Sequence, residues 1–240
     1  MPKVHVLLKK EELDRQRLPG KVVIVLDILF ATTSIVAALA NGAKEVVPLV
    51  GGAAALAEAE KRDPSTYILS GELNAETLPG FCHPTPLALL RESVANRTLL
   101  YCTTNGTVAL NKARQADHVY AAALINGHAT IERIVQAHPE DTVIVVCSGS
   151  ADNFNLEDFY GAGHFVSLLS RLAPEHYDLT DAAHAACLLY EHNDAVEALS
   201  RARIGRLMRS RGLEPEIHFA ARQDCFDVVP KLVDGVLRPV

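Results

Sequence analysis

Six short, β-branched apolar runs alternate with helix-patterned segments along most of this chain, and that alternation restricts the fold more than any other feature. The runs are 22–29 (VVIVLDIL), 46–50 (VVPLV), 66–69 (TYIL), 98–102 (TLLYC), 118–124 (HVYAAAL) and 142–147 (TVIVVC). They show little polar alternation, as expected of strands buried on both faces. Helical patterns fall between and after them, at 33–41, 51–62, 86–95, 107–116, 127–138 and 157–172. Strand and helix alternating at this pitch require crossover connections and a mostly parallel sheet. The expectation is a three-layer α/β/α fold, with room for antiparallel strands near the end. Residues 180–211 read as two helices, the first opening at Thr180. The tail 217–239 reads as a strand plus a hairpin turning at Asp234-Gly235. No linker divides the chain, so it is read as one α/β domain over 1–240, or two halves packed closely together.

Composition narrows the function classes. Hydrophobic residues make up 49% of the 240, enough for a large core, and the formal net charge of −6 argues against a nucleic-acid surface. The most basic stretch, RARIGRLMRSR at 201–211, reads as one polar helix face. No apolar stretch reaches the roughly 18–20 residues a membrane span needs, and the start MPKVHVLLKKEELD lacks a signal-peptide pattern. The expected compartment is the cytoplasm. The five cysteines form no CxxC pair and are expected to be reduced and largely buried.

Three strand ends carry polar clusters. Thr32 and Thr33 follow the first run, Thr103–Thr107 the fourth, and Cys147–Asp158 the sixth. In open parallel sheets the C-terminal strand ends line the ligand crevice, so these clusters are expected to face one another. Asp27 lies within an apolar run, where a carboxylate requires a partner or a metal. Glu72 follows a glycine at a strand end. Glu157 and Asp158 open the 157–172 helix, where Asn155 and Asp158 also fit a capping arrangement. Helix N-termini after Thr32/Thr33 and at Asn105, Gly106 and Thr107 suit either capping or an anion. Acids and a phosphate in one crevice repel, and an oxygen-liganded Mg²⁺ between them resolves the conflict. Walker, dinucleotide, G-x-S-x-G and HExxH patterns are all missing. The long Pro-rich segment 71–89 is expected to be a binding loop or lid.

The blocks DILFATTS (27–34), GE (71–72), GF (80–81), TTNGT (103–107), CSGSADNFNLEDFYGAG (147–163), RIGRLMRSRG (203–212) and DCFDVVP (224–230) occur in this order. Together they resemble the 2-phosphosulfolactate phosphatase (ComB-like) family over almost the whole length. The resemblance implies a Mg²⁺-dependent phosphatase acting on a small phosphate ester on the route to coenzyme M, in an enzyme class that is often homo-oligomeric. It implies Asp27, Glu157 and Asp158 as catalytic residues and Asp27, Glu72 and Asp158 as metal ligands. Substrate contacts would come from Thr32, Thr33, Asn105, Gly106, Thr107 and Cys147. Which acid holds metal and which moves a proton is left open. Two departures fall at the substrate edge: Phe30 stands where the family usually has arginine, and Cys82 replaces an acid in a loop about one residue shorter. The alternative reading is a non-catalytic descendant that binds a small anion.

Overall fold

The computed structural model describes residues 1–240 as a mixed α/β protein. Its strands are β1 (Lys3–Leu7), β2 (Lys21–Leu26), β3 (Glu45–Leu49), β4 (Tyr67–Leu73), β5 (Glu76–Thr77), β6 (Thr98–Cys102), β7 (His118–Ala122), β8 (Thr142–Cys147), β9 (Asp178–Leu179), β10 (Pro230–Val233) and β11 (Val236–Pro239). Its helices are α1 (Ala31–Ala40), α2 (Gly52–Ala59), α3 (Pro86–Leu89), α4 (Gly106–Ala113), α5 (Gly127–Ala137), α6 (Leu156–Leu172), α7 (Asp181–Glu191), α8 (Ala195–Arg201), α9 (Arg203–Ser210) and α10 (Glu214–Ala220).

All six expected strands form, in one sheet ordered β5-β4-β6-β3-β11-β10-β7-β2-β8-β1-β9. Within it β4, β6 and β3 are parallel, and so are β7, β2, β8, β1 and β9. The β10–β11 hairpin joins these two sets antiparallel to each, through single register pairs: Lys231 with Tyr120 and Leu237 with Val46. Its turn is the expected Asp234-Gly235, both with positive φ, as a tight hairpin demands.

Two helices carry the chain from one parallel set to the other, α1 after β2 and α4 after β6. Both lie in one apolar cluster with strands of each set: Ile35 and Ala38 of α1 and Leu110 of α4 meet Val25, Val119 and Val46, Tyr101. Nine of the ten α1 residues are buried, and its small side chains (ATTSIVAALA) allow that enclosure. The other faces are covered by α5 and α6 around Leu26, Ile134 and Phe165, and by α2 next to Val47 and Leu100. Because α1 and α4 start where strands end, their first turns meet at one crevice.

Several expectations need correction. The 86–95 helix is only the single turn α3, after which the chain turns through Asn96 at positive φ toward β6. Residues 180–211 form three helices: Asp194 caps Glu197 N at 3.0 Å to start α8, and extended Ala202 separates α8 from α9. The tail begins with α10 instead of a strand. Glu216 on α10 accepts from Leu87 N, Ala88 N and Thr85 Oγ1, tying α10 to α3. The segment 71–89 is partly ordered by β5, which pairs with β4 around Asn74 and Ala75, both at positive φ. No helix is long and apolar enough to cross a membrane.

Candidate active site

The crevice is a cavity of about 190 Å³ formed by the loops after β2, β4, β6 and β8 and closed by α9. Asp27, Glu72, Thr103, Asn105, Ser150 and Arg203 supply its polar lining, and Leu29, Phe30, Ile204 and Leu207 an apolar wall. The shared edge read from the strand ends is therefore real.

Asp27 follows β2 directly and is only 8% exposed. Its carboxylate accepts from Ala31 N at 3.3 Å, and its carbonyl from Thr32 N at 3.0 Å. Burial pushes its pKa up to about 6; the Ala31 amide opposes this, Glu72 adds to it, and Lys10 and the Gly106 amide oppose it. Gly106 is required here: a Cβ would come 2.6 Å from Ala31 Cβ and 2.7 Å from Asp27 Oδ2. Gly106→Ala should accordingly destabilise the fold by about 1–3 kcal/mol through overpacking. Urea unfolding would show it as a lowered midpoint at unchanged slope.

The carboxylates of the long helix divide in role. Asp158 accepts from Ile28 N at 2.9 Å and Gly149 N at 3.0 Å, which ties the loops after β2 and β8 together. It is not a capping partner of Asn155, whose side chain caps nothing and instead accepts from Ser150 Oγ at 2.7 Å. Burial, then Asp27 and Glu157, push the Asp158 pKa well up. Glu157 is 1% exposed and neither of its oxygens has a hydrogen-bond partner. Burial raises its pKa to about 7, Asp27 adds to that, and Arg203 opposes it. Glu72 accepts from Thr104 N and Ala75 N, both at 2.6 Å, and so fixes the β4 and β6 loops.

Other expected contacts are turned away. Thr32 and Thr33 are fully buried and their hydroxyls bond the backbone of Asp27 and Ile28, at 2.9–3.0 Å and 2.8 Å. Thr107 is likewise buried, its hydroxyl exchanging bonds with the Thr103 backbone. These threonines shape the turns instead of facing the cavity, the usual competition of short hydroxyl side chains for local backbone. Cys147 is enclosed in the core, with burial raising its thiol pKa well up, and it has no surface on the crevice. Asn105 does line the cavity, where its Oδ1 accepts from Lys10 Nζ at 3.0 Å.

Two cationic residues went unnoticed in the sequence. Lys10 is 5% exposed, also donates to Ser148 O at 3.2 Å, and pairs with Glu11 at 3.1 Å. Arg203, the first residue of α9, contacts Ser150 Oγ and lines the cavity. Gly205 allows this, since a Cβ there would run into Leu199 O and α9 could not fold back against α8. Beyond Phe30 a second cavity of about 410 Å³ adjoins the first, walled by Pro84, Ile204, Leu207, Met208 and Leu213. The β4–β5 tip between them is held by Arg211, which donates to Ala75 O and, at 2.6 Å, to Glu76.

No three carboxylates of Asp27, Glu72, Glu157 and Asp158 lie within 4.8 Å of one another. The site therefore does not form a complete protein cage for a metal. It does fit an ion held by one or two acids and completed by water and substrate oxygens, as Mg²⁺ commonly is. The unpartnered, buried Glu157 carboxylate is the residue that most needs such a neighbour.

Comparison with known proteins identifies the family. The family model described as 2-phosphosulpholactate phosphatase matches residues 7–235. A protein of Clostridium beijerinckii named "Probable 2-phosphosulfolactate phosphatase" is 32% identical over 97% of this chain and 98% of its own. One of the same name from Caldanaerobacter subterraneus is 35% identical over 92% of this chain and 91% of its own. With the crevice acids, the β6–α4 turn and the α9 arginine all inside the matched span, this chain belongs to the 2-phosphosulpholactate phosphatase family, a family of phosphoric monoester hydrolases.

Proposed function

We propose that this protein is a Mg²⁺-dependent phosphatase hydrolysing a small phosphorylated acid of the 2-phosphosulfolactate type, the substrate for which its relatives are named. The observation that carries the reading is a cavity lined by Asp27, Glu72 and Arg203, backed by the buried, unpartnered Glu157, whose charge both Asp27 and Arg203 feel. Asp27 and Glu157 would hold the ion. Bound there, Mg²⁺ would offset the charge of acids and ester and polarise a phosphoryl oxygen. The chain's own groups do the rest. The Arg203 guanidinium, which lines the cavity, attracts the doubly charged ester and steadies its developing charge, while Lys10 holds Asn105 in place from behind. Asp27, with a pKa raised to about 6, is largely ionised at neutral pH, and with one oxygen on the ion its other oxygen can accept a proton from an attacking water. Leu29, Phe30 and Leu207 restrict access of bulk water.

The test is phosphate release from 2-phosphosulfolactate, phospholactate, phosphoglycolate and an aryl phosphate, with Mg²⁺ or with EDTA. Release should require Mg²⁺. The metal competes with protons on acids whose pKa values lie near 6 and 7, so apparent Mg²⁺ affinity should rise as pH rises from 5.5 to 8. Full activity in EDTA would remove the metal from the reading. Phe30, which brings an apolar face where a charged grip is expected, favours one second reading: a small-anion binder without turnover. Binding of inorganic phosphate with no release from any ester would establish that instead.

A further inference from the structure

At the end of the sheet opposite the crevice, where β7 and β8 begin, three metal-ligating side chains converge, one of them with a buried polar atom that has no partner. The rings of His118, first residue of β7, and His138, at the end of α5, stack with centroids 3.7 Å apart and planes 19° apart. His138 Nδ1 faces the Asp141 carboxylate at 3.9 Å, too far for a hydrogen bond. His118 Nδ1 is buried without a partner. One ligand atom from each of the three lies within 4.8 Å of the others. These are groups that attract cations, separated by a gap slightly wider than an ion would impose. Around a tetrahedral centre with bonds of about 2.1 Å, ligand atoms sit roughly 3.4 Å apart, so the set closes when the two stacked rings tilt out of their near-parallel arrangement and bring their in-plane lone pairs onto one ion.

We propose that His118, His138 and Asp141 bind one divalent transition-metal ion of the zinc class, at a site separate from the crevice acids. Two imidazoles and a carboxylate suit zinc and its neighbours and disfavour magnesium, which prefers oxygen alone. The outer support is present too: Tyr120 Oη lies 2.8 Å from His138 Nε2. By accepting the Nε2 proton it leaves Nδ1 free as the ligand, the arrangement that orients metal-binding histidines. The Asp141 side chain is 36% exposed and that of His138 10%, so an ion has a route in and water can complete its shell. The three residues come from the start of β7, the end of α5 and the turn into β8, and an ion would fasten these together. The Lys231 ammonium over the Tyr120 ring, 5.6 Å from its centroid, opposes the ion and weakens the site relative to a closed four-ligand zinc centre.

The experiment is calorimetric titration of the metal-stripped full chain with Zn²⁺, in millimolar Mg²⁺ to mask the crevice acids. One Zn²⁺ per chain is expected. Asp141→Asn and His138→Gln should each weaken binding at least tenfold, and Tyr120→Phe by about tenfold, with circular dichroism showing each folded. Asp27→Asn should leave Zn²⁺ binding unchanged. Co²⁺ in place of Zn²⁺ should give visible absorption bands that Asp141→Asn alters. The proposal is overturned by no saturable Zn²⁺ binding, by binding that survives both Asp141→Asn and His138→Gln, or by binding that Asp27→Asn abolishes.

Discussion

Asp27→Asn should lower phosphate release by about a thousandfold, within the 10²–10⁴ range of a lost acid–base group, and should not destabilise the protein at neutral pH. The two halves of this expectation have one cause. Asparagine can keep the bond from Ala31 N but carries no charge to hold a cation or take a proton. The native carboxylate has a pKa raised to about 6, chiefly by burial. For an acid raised on folding, the folded state binds more protons than the unfolded one between about pH 4 and pH 6, so stability falls as pH rises through that window. Asparagine removes the effect. The variant should therefore melt at or above the wild-type temperature at pH 7.5, with the difference shrinking through the window and vanishing below about pH 3, where Asp27 is protonated in both states. Retained turnover would make Asp27 a bystander; a variant losing turnover and stability together would make it structural. Loss of activity with gained stability is the expected signature of a strained functional group.

The second large effect is expected at the substrate-gripping end. Arg203→Ala should lower kcat/KM by roughly 10- to 100-fold, since a charge-assisted contact contributes about 1.5–3 kcal/mol. Arg203→Lys should restore only part of it, because an ammonium lacks the planar fork. A pH profile separates this from a packing defect. Arg203 opposes the raised pKa of Glu157, so without it the acid limb of the profile should move to higher pH. An unmoved limb with a lowered melting temperature would mean the arginine only braces α9 against Ser150. Phe30→Arg addresses the same end from across the cavity junction. It should improve turnover of the sulfonate-bearing ester over phospholactate by a comparable factor. If it does not, the 410 Å³ cavity beside Phe30, lined by Glu72, His83 and Arg211 as well as apolar groups, is where the preferred substrate differs from the family's.

The sheet was legible because fully buried parallel strands need unbroken β-branched runs, and TVIVVC or TLLYC can be little else. The strand Lys3–Leu7 was missed although it alternates: its burial pattern runs exposed, buried, intermediate, buried, intermediate, and so short a period-2 signal beside lysines reads as a loop. The extra break at Ala202 and the helix at 214–220 depend on α9 and α10 packing against distant α3 and α8, which local propensity does not encode. At the site, the acids could be found because a carboxylate in an apolar context has few structural uses. The threonines were assigned too freely, since a hydroxyl in a first helical turn serves a backbone neighbour as readily as a ligand. Arg203 escaped for the opposite reason. Its helix has one polar face, and periodicity reports that such a face exists without reporting whether it meets solvent or a crevice.

The β10–β11 hairpin bears on how this protein comes into being during synthesis. Every strand it joins has left the ribosome before residues 230–239 are made, yet the two parallel sets touch through it at only one register pair on each side. A nascent chain lacking it would expose the bare edges of β3 and β7, the kind of edge that recruits other strands. Assembly of the whole sheet thus waits on residues 230–239, and the interval before they emerge is when the growing chain most needs a chaperone's cover.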